Sequence, residues 1–194
     1  MVMKTVSLVL LVLFAFAAPA LSAPVTYFAV LTGPNEFPPN ASPATGNALV
    51  TIDLVAHTLE VSANFTGLLA NTTAAHIHCC TLPNAGVIVP GAPSFPGFPL
   101  GVTSGTFNNT FDTLATTTYR AAFITANGGT AAGAEAGLAA ALASGNAYFN
   151  IHTSAFPGGE IRGFLQAVPE PATFAMLGAG LAGLVAIGRK RRII

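Results

Sequence analysis

The residue types with the most chemical reach in this sequence are His76, His78 and His152, together with the adjacent Cys79 and Cys80. In Ala75-His76-Ile77-His78 the two imidazoles stand at i and i+2, so on a β-strand both point to the same face. His152 closes the run Tyr148-Phe149-Asn150-Ile151-His152, where alternation groups it with Tyr148 and Asn150 on a polar face. Neutral imidazoles converging from two strands suit Cu²⁺ or Zn²⁺. If the first strand runs on, Cys80 shares the histidine face and becomes a candidate fourth, soft ligand, while Cys79 faces the core. The competing reading is structural, because buried polar groups must find partners. His152 then bonds Glu160, and Asn150 or a backbone carbonyl satisfies Arg162. No serine elbow, phosphate loop or paired-carboxylate site accompanies these residues, and Ser154 beside His152 reads as a turn serine.

The elements that must position this chemistry are strands. Residues 145–165, GNAYFNIHTSAFPGGEIRGFL, read as a hairpin with a long turn, Thr153 to Gly159, rich in Pro and Gly. Its inward set is Ala147, Phe149, Ile151, Ile161 and Leu165, and a symmetric register places His152 opposite Glu160 and Asn150 opposite Arg162. Glu160, Arg162 and Phe164 share the polar face in this alternation. Upstream, Val25–Leu31, Ala48–Leu54, Thr58–Phe65, Thr73–Cys79, Gly105–Phe111 and Thr116–Ile124 carry strand composition. Gly33–Gly46 and Leu82–Gly101 are dense in Pro and Gly and read as loops, the second plugged by Phe95 and Phe98. His57, in the short link Val55 to Thr58, reads as a solvated turn residue. Alanine-rich Ala131–Ser144 breaks the pattern and predicts one short helix, with Leu138 and Leu142 on one face.

The chain has 194 residues and seven basic against seven acidic side chains. Most of the basic ones are terminal. Between Pro24 and Val168 two arginines face six carboxylates, a formal net of −4. That lacks the basic stripe nucleic-acid binding requires, so this class is excluded. Residues 1–23 have Lys4, the apolar run Val6–Ala18 and small residues at Ala18, Ala20, Ser22 and Ala23, the pattern of a secretory signal peptide cut by signal peptidase. Export brings the cysteines into an oxidising compartment, where a disulfide is the default. Neighbouring Cα atoms lie about 3.8 Å apart, below the usual disulfide span, so a vicinal bridge, an intermolecular bridge and a ligand role for Cys80 all stay open. At the other end, residues 169–194 run from Pro169-Glu170-Pro171 through an apolar helix over about 172–188 to Arg189-Lys190-Arg191-Arg192. The uncharged part, 172–187, is roughly 24 Å long as a helix, somewhat short of the ~30 Å hydrocarbon core, and the basic end stays cytoplasmic.

That tripartite tail resembles the PEP-CTERM sorting signal of Gram-negative bacteria. The resemblance implies recognition by an exosortase that removes the tail and delivers the protein to the cell surface or extracellular matrix. Residues 24–168 carry a second likeness, in Asn35-Glu36-Phe37-Pro38-Pro39, Thr45-Gly46, Ala75-His76-Ile77-His78, Tyr148 to Thr153 and Pro157 to Gly163. Together these resemble the CHRD domain, first recognised in chordin. The resemblance implies an all-β fold, an immunoglobulin-like or superoxide-dismutase-like Greek-key sandwich or barrel, with no established activity. The leading expectation is an exported, non-enzymatic structural or binding module in the cell envelope or an extracellular polymer matrix, with extracellular polysaccharide as a candidate partner. The alternative is a copper- or zinc-binding, dismutase-like redox protein using His76, His78, His152 and Cys80.

Overall fold

The computed structural model describes residues 23–80, 86–92, 94–169 and 180. The expected signal peptide up to residue 22 lies outside the described residues. So do Glu170, Pro171, the expected membrane helix apart from Gly180, and Arg189, Lys190, Arg191 and Arg192.

Alternating apolar residues in the first third of the chain build three long strands, β1 (Val25–Thr32), β2 (Thr45–Asp53) and β3 (Thr58–Thr66). They pair antiparallel in sequence order, Thr32 against Thr45 and Asp53 against Thr58. Their inward residues, including Ala29, Leu31, Val50, Leu59 and Val61, are buried, while the alternate positions face outward. The chain then crosses to form β4 (Thr72–Cys79) and β5 (Gly86–Val89), and returns as β6 (Gly105–Asp112) beside β3. Two helices follow, α1 (Ala121–Ala126) and α2 (Ala131–Ala143). The closing hairpin is β7 (Tyr148–Thr153) with β8 (Ile161–Phe164), and a two-residue β9 (Gln166–Ala167) ends the sheet.

The sheet order is β5-β4-β7-β8-β1-β2-β3-β6, with β9 also on β1. This is a curled antiparallel sheet, a half-barrel of the all-β sandwich or barrel class. One apolar core fills its concave side, where Phe149, Ile151, Ile161 and Leu165 of the hairpin are fully buried. Phe95 and Phe98 plug it as their loop predicts: Phe95 stacks 5.7 Å from Phe149, and Phe98 packs 5.5 Å from Phe65. The one polar side chain of α2, Glu135, is buried and accepts from Thr113 Oγ1. It also holds His57 Nδ1 at 3.0 Å, so that turn residue is half-exposed and paired rather than simply solvated. His57 has φ 55, a left-handed conformation that histidine adopts more readily than most residues.

Two stretches differ from expectation. Thr116–Ile124 is not a strand but a short 3-10 turn, Thr116–Thr118, running into α1. Tyr119 is buried and donates its hydroxyl to the Thr113 carbonyl at 2.9 Å, and Arg120 N bonds Ile88 O at 3.1 Å. These tertiary bonds outcompete the β propensity of three threonines. Within Leu82–Gly101, the β-branched Val87, Ile88 and Val89 form most of β5 rather than loop.

Candidate metal centre

What distinguishes the closing half of the sheet is that both faces are covered. Every residue of β7 is buried, Tyr148, Asn150 and His152 included, unlike the half-exposed β1 to β3. β4 pairs directly with β7, setting His76 opposite Asn150 and His78 opposite Tyr148, with His152 one step further along opposite Ala74. Strand alternation then turns His76, His78 and His152 to one side of the sheet.

The three imidazoles meet there. One ring nitrogen from each lies within 4.8 Å of the other two. His76 Nδ1 is 2.9 Å from His152 Nε2, and the other His152 nitrogen, Nδ1, is 2.9 Å from the Pro157 carbonyl. A carbonyl only accepts, so His152 Nδ1 carries the proton and Nε2 presents its lone pair inward. His76 Nδ1 therefore donates to it. All three rings are less than a tenth exposed. Burial pushes the His152 pKa below its ordinary value, against the smaller opposite pull of the Pro157 carbonyl. The neutral ring this favours is the form a metal ligates.

A layer of stacked groups flanks the cluster. The His78 and Tyr148 rings are 4.9 Å apart and nearly parallel, and the Arg162 guanidinium lies 4.7 Å from the centre of the Tyr148 ring on this same side of the sheet. Arg162 Nε donates to the Asn35 carbonyl, a backbone carbonyl being one of the two partners expected for it beside Asn150. Glu36 Oε2, in the CHRD-like run Asn35 to Pro39, is 3.7 Å from Arg162 Nε and buried. Its loop position gave one sign of this, as a lone carboxylate inside the apolar, proline-rich Gly33–Gly46. The segment 37–40 also lies against 155–159 of the hairpin turn, lining one shallow pocket with it.

Two expected members of the site are elsewhere. Glu160 does not share the histidine face and does not bond His152. It is completely buried, and its carboxylate accepts from Ser42 Oγ, Leu69 N and Thr153 Oγ1, each at 2.7 Å. The alternation fails because β8 begins only at Ile161, after Gly159 at φ 129, so Glu160 is not yet under strand geometry. The register itself holds, with Asn150 opposite Arg162. Asn150 is buried on the histidine side, and its Oδ1 has no hydrogen-bond partner among the described residues. Cys80 is no ligand beside the histidines: its sulfur is bonded to Cys79, and a disulfide sulfur has no thiolate to offer. The pair instead lines a separate pocket with Phe123, Asn127 and Ala141 of the helical segment.

A curled antiparallel β domain with a buried cluster of imidazoles on its outer side defines the class of protein. Residues 27–165 match the CHRD domain, and the chain belongs to that family. Residues 167–192 match the PEP-CTERM protein-sorting motif. The protein is therefore exported, held for a time in the membrane by its tail, and passed by exosortase processing to the cell envelope or the exterior. No curated protein matches the chain. No solved structure matches it either.

Proposed function

We propose that the CHRD domain is the cargo of this sorting route, a non-enzymatic structural or binding module placed at the cell surface or in an extracellular polysaccharide matrix. One observation carries the reading: the fold closes on itself just before Pro169-Glu170-Pro171 of the sorting motif. Gln166 and Ala167 pair with Phe28 and Tyr27, and Val168 N donates to the Thr26 carbonyl at 2.8 Å. Pro169, the first residue of Pro169-Glu170-Pro171, comes next and is exposed. A cut at or after that tripeptide leaves every strand of the domain in place. Residues 1–23 serve as the leader removed by signal peptidase, 24–168 as the delivered domain, and 169–194 as the discarded tail.

Intact-mass analysis of the protein recovered from the surface and medium of an exosortase-bearing cell tests this. The expected product begins near Pro24 and ends within a few residues of Pro171. A recovered chain that still ends at Ile194 overturns the proposal.

A further inference from the structure

Independently of where the domain is delivered, we infer that His76, His78 and His152 form a binding site for one borderline divalent transition ion, Cu²⁺ or Zn²⁺. The inference rests on geometry. Three nitrogens from two adjacent strands already lie within 4.8 Å of each other. Tetrahedral ligands at 2.0–2.1 Å from an ion are about 3.3 Å apart, so closing the gap takes roughly an ångström of side-chain rotation and no change in strand register. The strand pairing that brings the rings together, His76 opposite Asn150 and His78 opposite Tyr148, is part of the sheet and not of a loop.

The orientation of His152 supports the same conclusion. Its Nδ1–H is committed to the Pro157 carbonyl, which fixes the tautomer and aims the Nε2 lone pair at His76 and His78. In the metal-free cluster the His76 Nδ1 proton fills the space between the two rings. An ion entering there takes the Nε2 lone pair of His152, and His76 keeps its charge at zero by shifting that proton from Nδ1 to Nε2. No oxidant or reductant is involved. Three imidazoles leave a tetrahedral ion one open position, as ligand sets of three protein groups do. All-nitrogen neutral donors favour Cu²⁺ and Zn²⁺ over Mg²⁺ and Ca²⁺, which take oxygen. Among the described residues, Arg162 stands beyond the Tyr148 ring with Glu36 beside it.

The test uses the full chain, exported, extracted in detergent and stripped with chelator. Calorimetric titration with CuCl₂ and ZnCl₂ is expected to show one ion bound per chain at micromolar Kd or tighter, with no uptake of Mg²⁺. His152→Ala and His78→Ala are expected to weaken binding at least 100-fold, and His57→Ala, which removes a histidine of the Glu135 contact, to leave it unchanged. Electron paramagnetic resonance of the Cu²⁺-loaded wild type gives a readout that needs no variant, with hyperfine structure from three imidazole nitrogens expected. Failure to bind either ion, or a copper signal carrying fewer than three nitrogens, overturns the inference. So does binding that survives both substitutions.

Discussion

At the scale of single residues, two of the buried glutamates, Glu36 and Glu160, sit in different surroundings. Glu160 receives three short hydrogen bonds and ties the segment near Ser42, the start of the Leu69 turn and the end of β7 to one carboxylate. Glu36 has a long contact to Arg162, and its Oε1 has no hydrogen-bond partner among the described residues. Burial therefore outweighs the attraction of Arg162 and the Phe37 amide, and raises the Glu36 pKa from 4.5 to about 7. The folded state then holds a proton between pH 4.5 and 7 that the unfolded chain has released, so this group's contribution is full below pH 4.5 and is lost as pH rises through 7. Glu36→Gln keeps the shape and removes the titration. Chemical unfolding at pH 4.5 and pH 8 is expected to show the variant gaining on the wild type at the higher pH by on the order of 3 kcal/mol. Parallel pH profiles for the two proteins count against a raised Glu36.

At the scale of elements, the closing hairpin works because β8 can approach β1 at backbone distance. A Cβ on Gly163 meets the Val30 carbonyl carbon at 2.8 Å and the Ala29 side chain at 3.2 Å. The neighbouring strand cannot move aside without breaking the join between the halves of the sheet. Gly163→Ala is expected to destabilise the domain by at least about 2 kcal/mol. Gly158→Ala, in the same motif but with nothing within 4 Å of the added carbon, is expected to change stability by less than about 0.5 kcal/mol. Equal effects in thermal or denaturant unfolding contradict this account of β8. The motif Pro157 to Gly163 was legible as a turn followed by a strand, and its inner residues were legible from their alternation. The face taken by Glu160 was not, because alternation predicts a side chain only once the strand has begun.

At the scale of the whole molecule, the domain is closed by its last strand. β9 and the Val168–Thr26 bond seal β1 immediately ahead of Pro169-Glu170-Pro171. A chain ended after Val168 is expected to unfold at the same temperature as the domain in the longer chain. One ended after Leu165 loses these backbone bonds and is expected to be less stable by about 1–3 kcal/mol. If both truncations unfold alike, β9 has no part in closing the fold. Among the described residues no helix is long and apolar enough to cross a membrane.

Local chemistry was sufficient, from the sequence by itself, to determine most strands, the alanine-rich helix, the hairpin register and the C-terminal sorting motif, because period, composition and turn residues act over a few positions. It also set which histidines share a strand face. The tertiary structure decided what covers that face and which strands are neighbours. His76 and His152 are 76 residues apart, and their 2.9 Å contact exists because β4 pairs with β7. Thr116–Ile124 turned from expected strand to a 3-10 turn and helix, with Tyr119 bonded back to Thr113 and Arg120 bonded across the fold to Ile88. Cys79 and Cys80 were left open by their spacing and are joined to each other in the folded chain. Pairing between distant segments is a property of the whole packed sheet, and it is this pairing that turns three scattered imidazoles into one cluster.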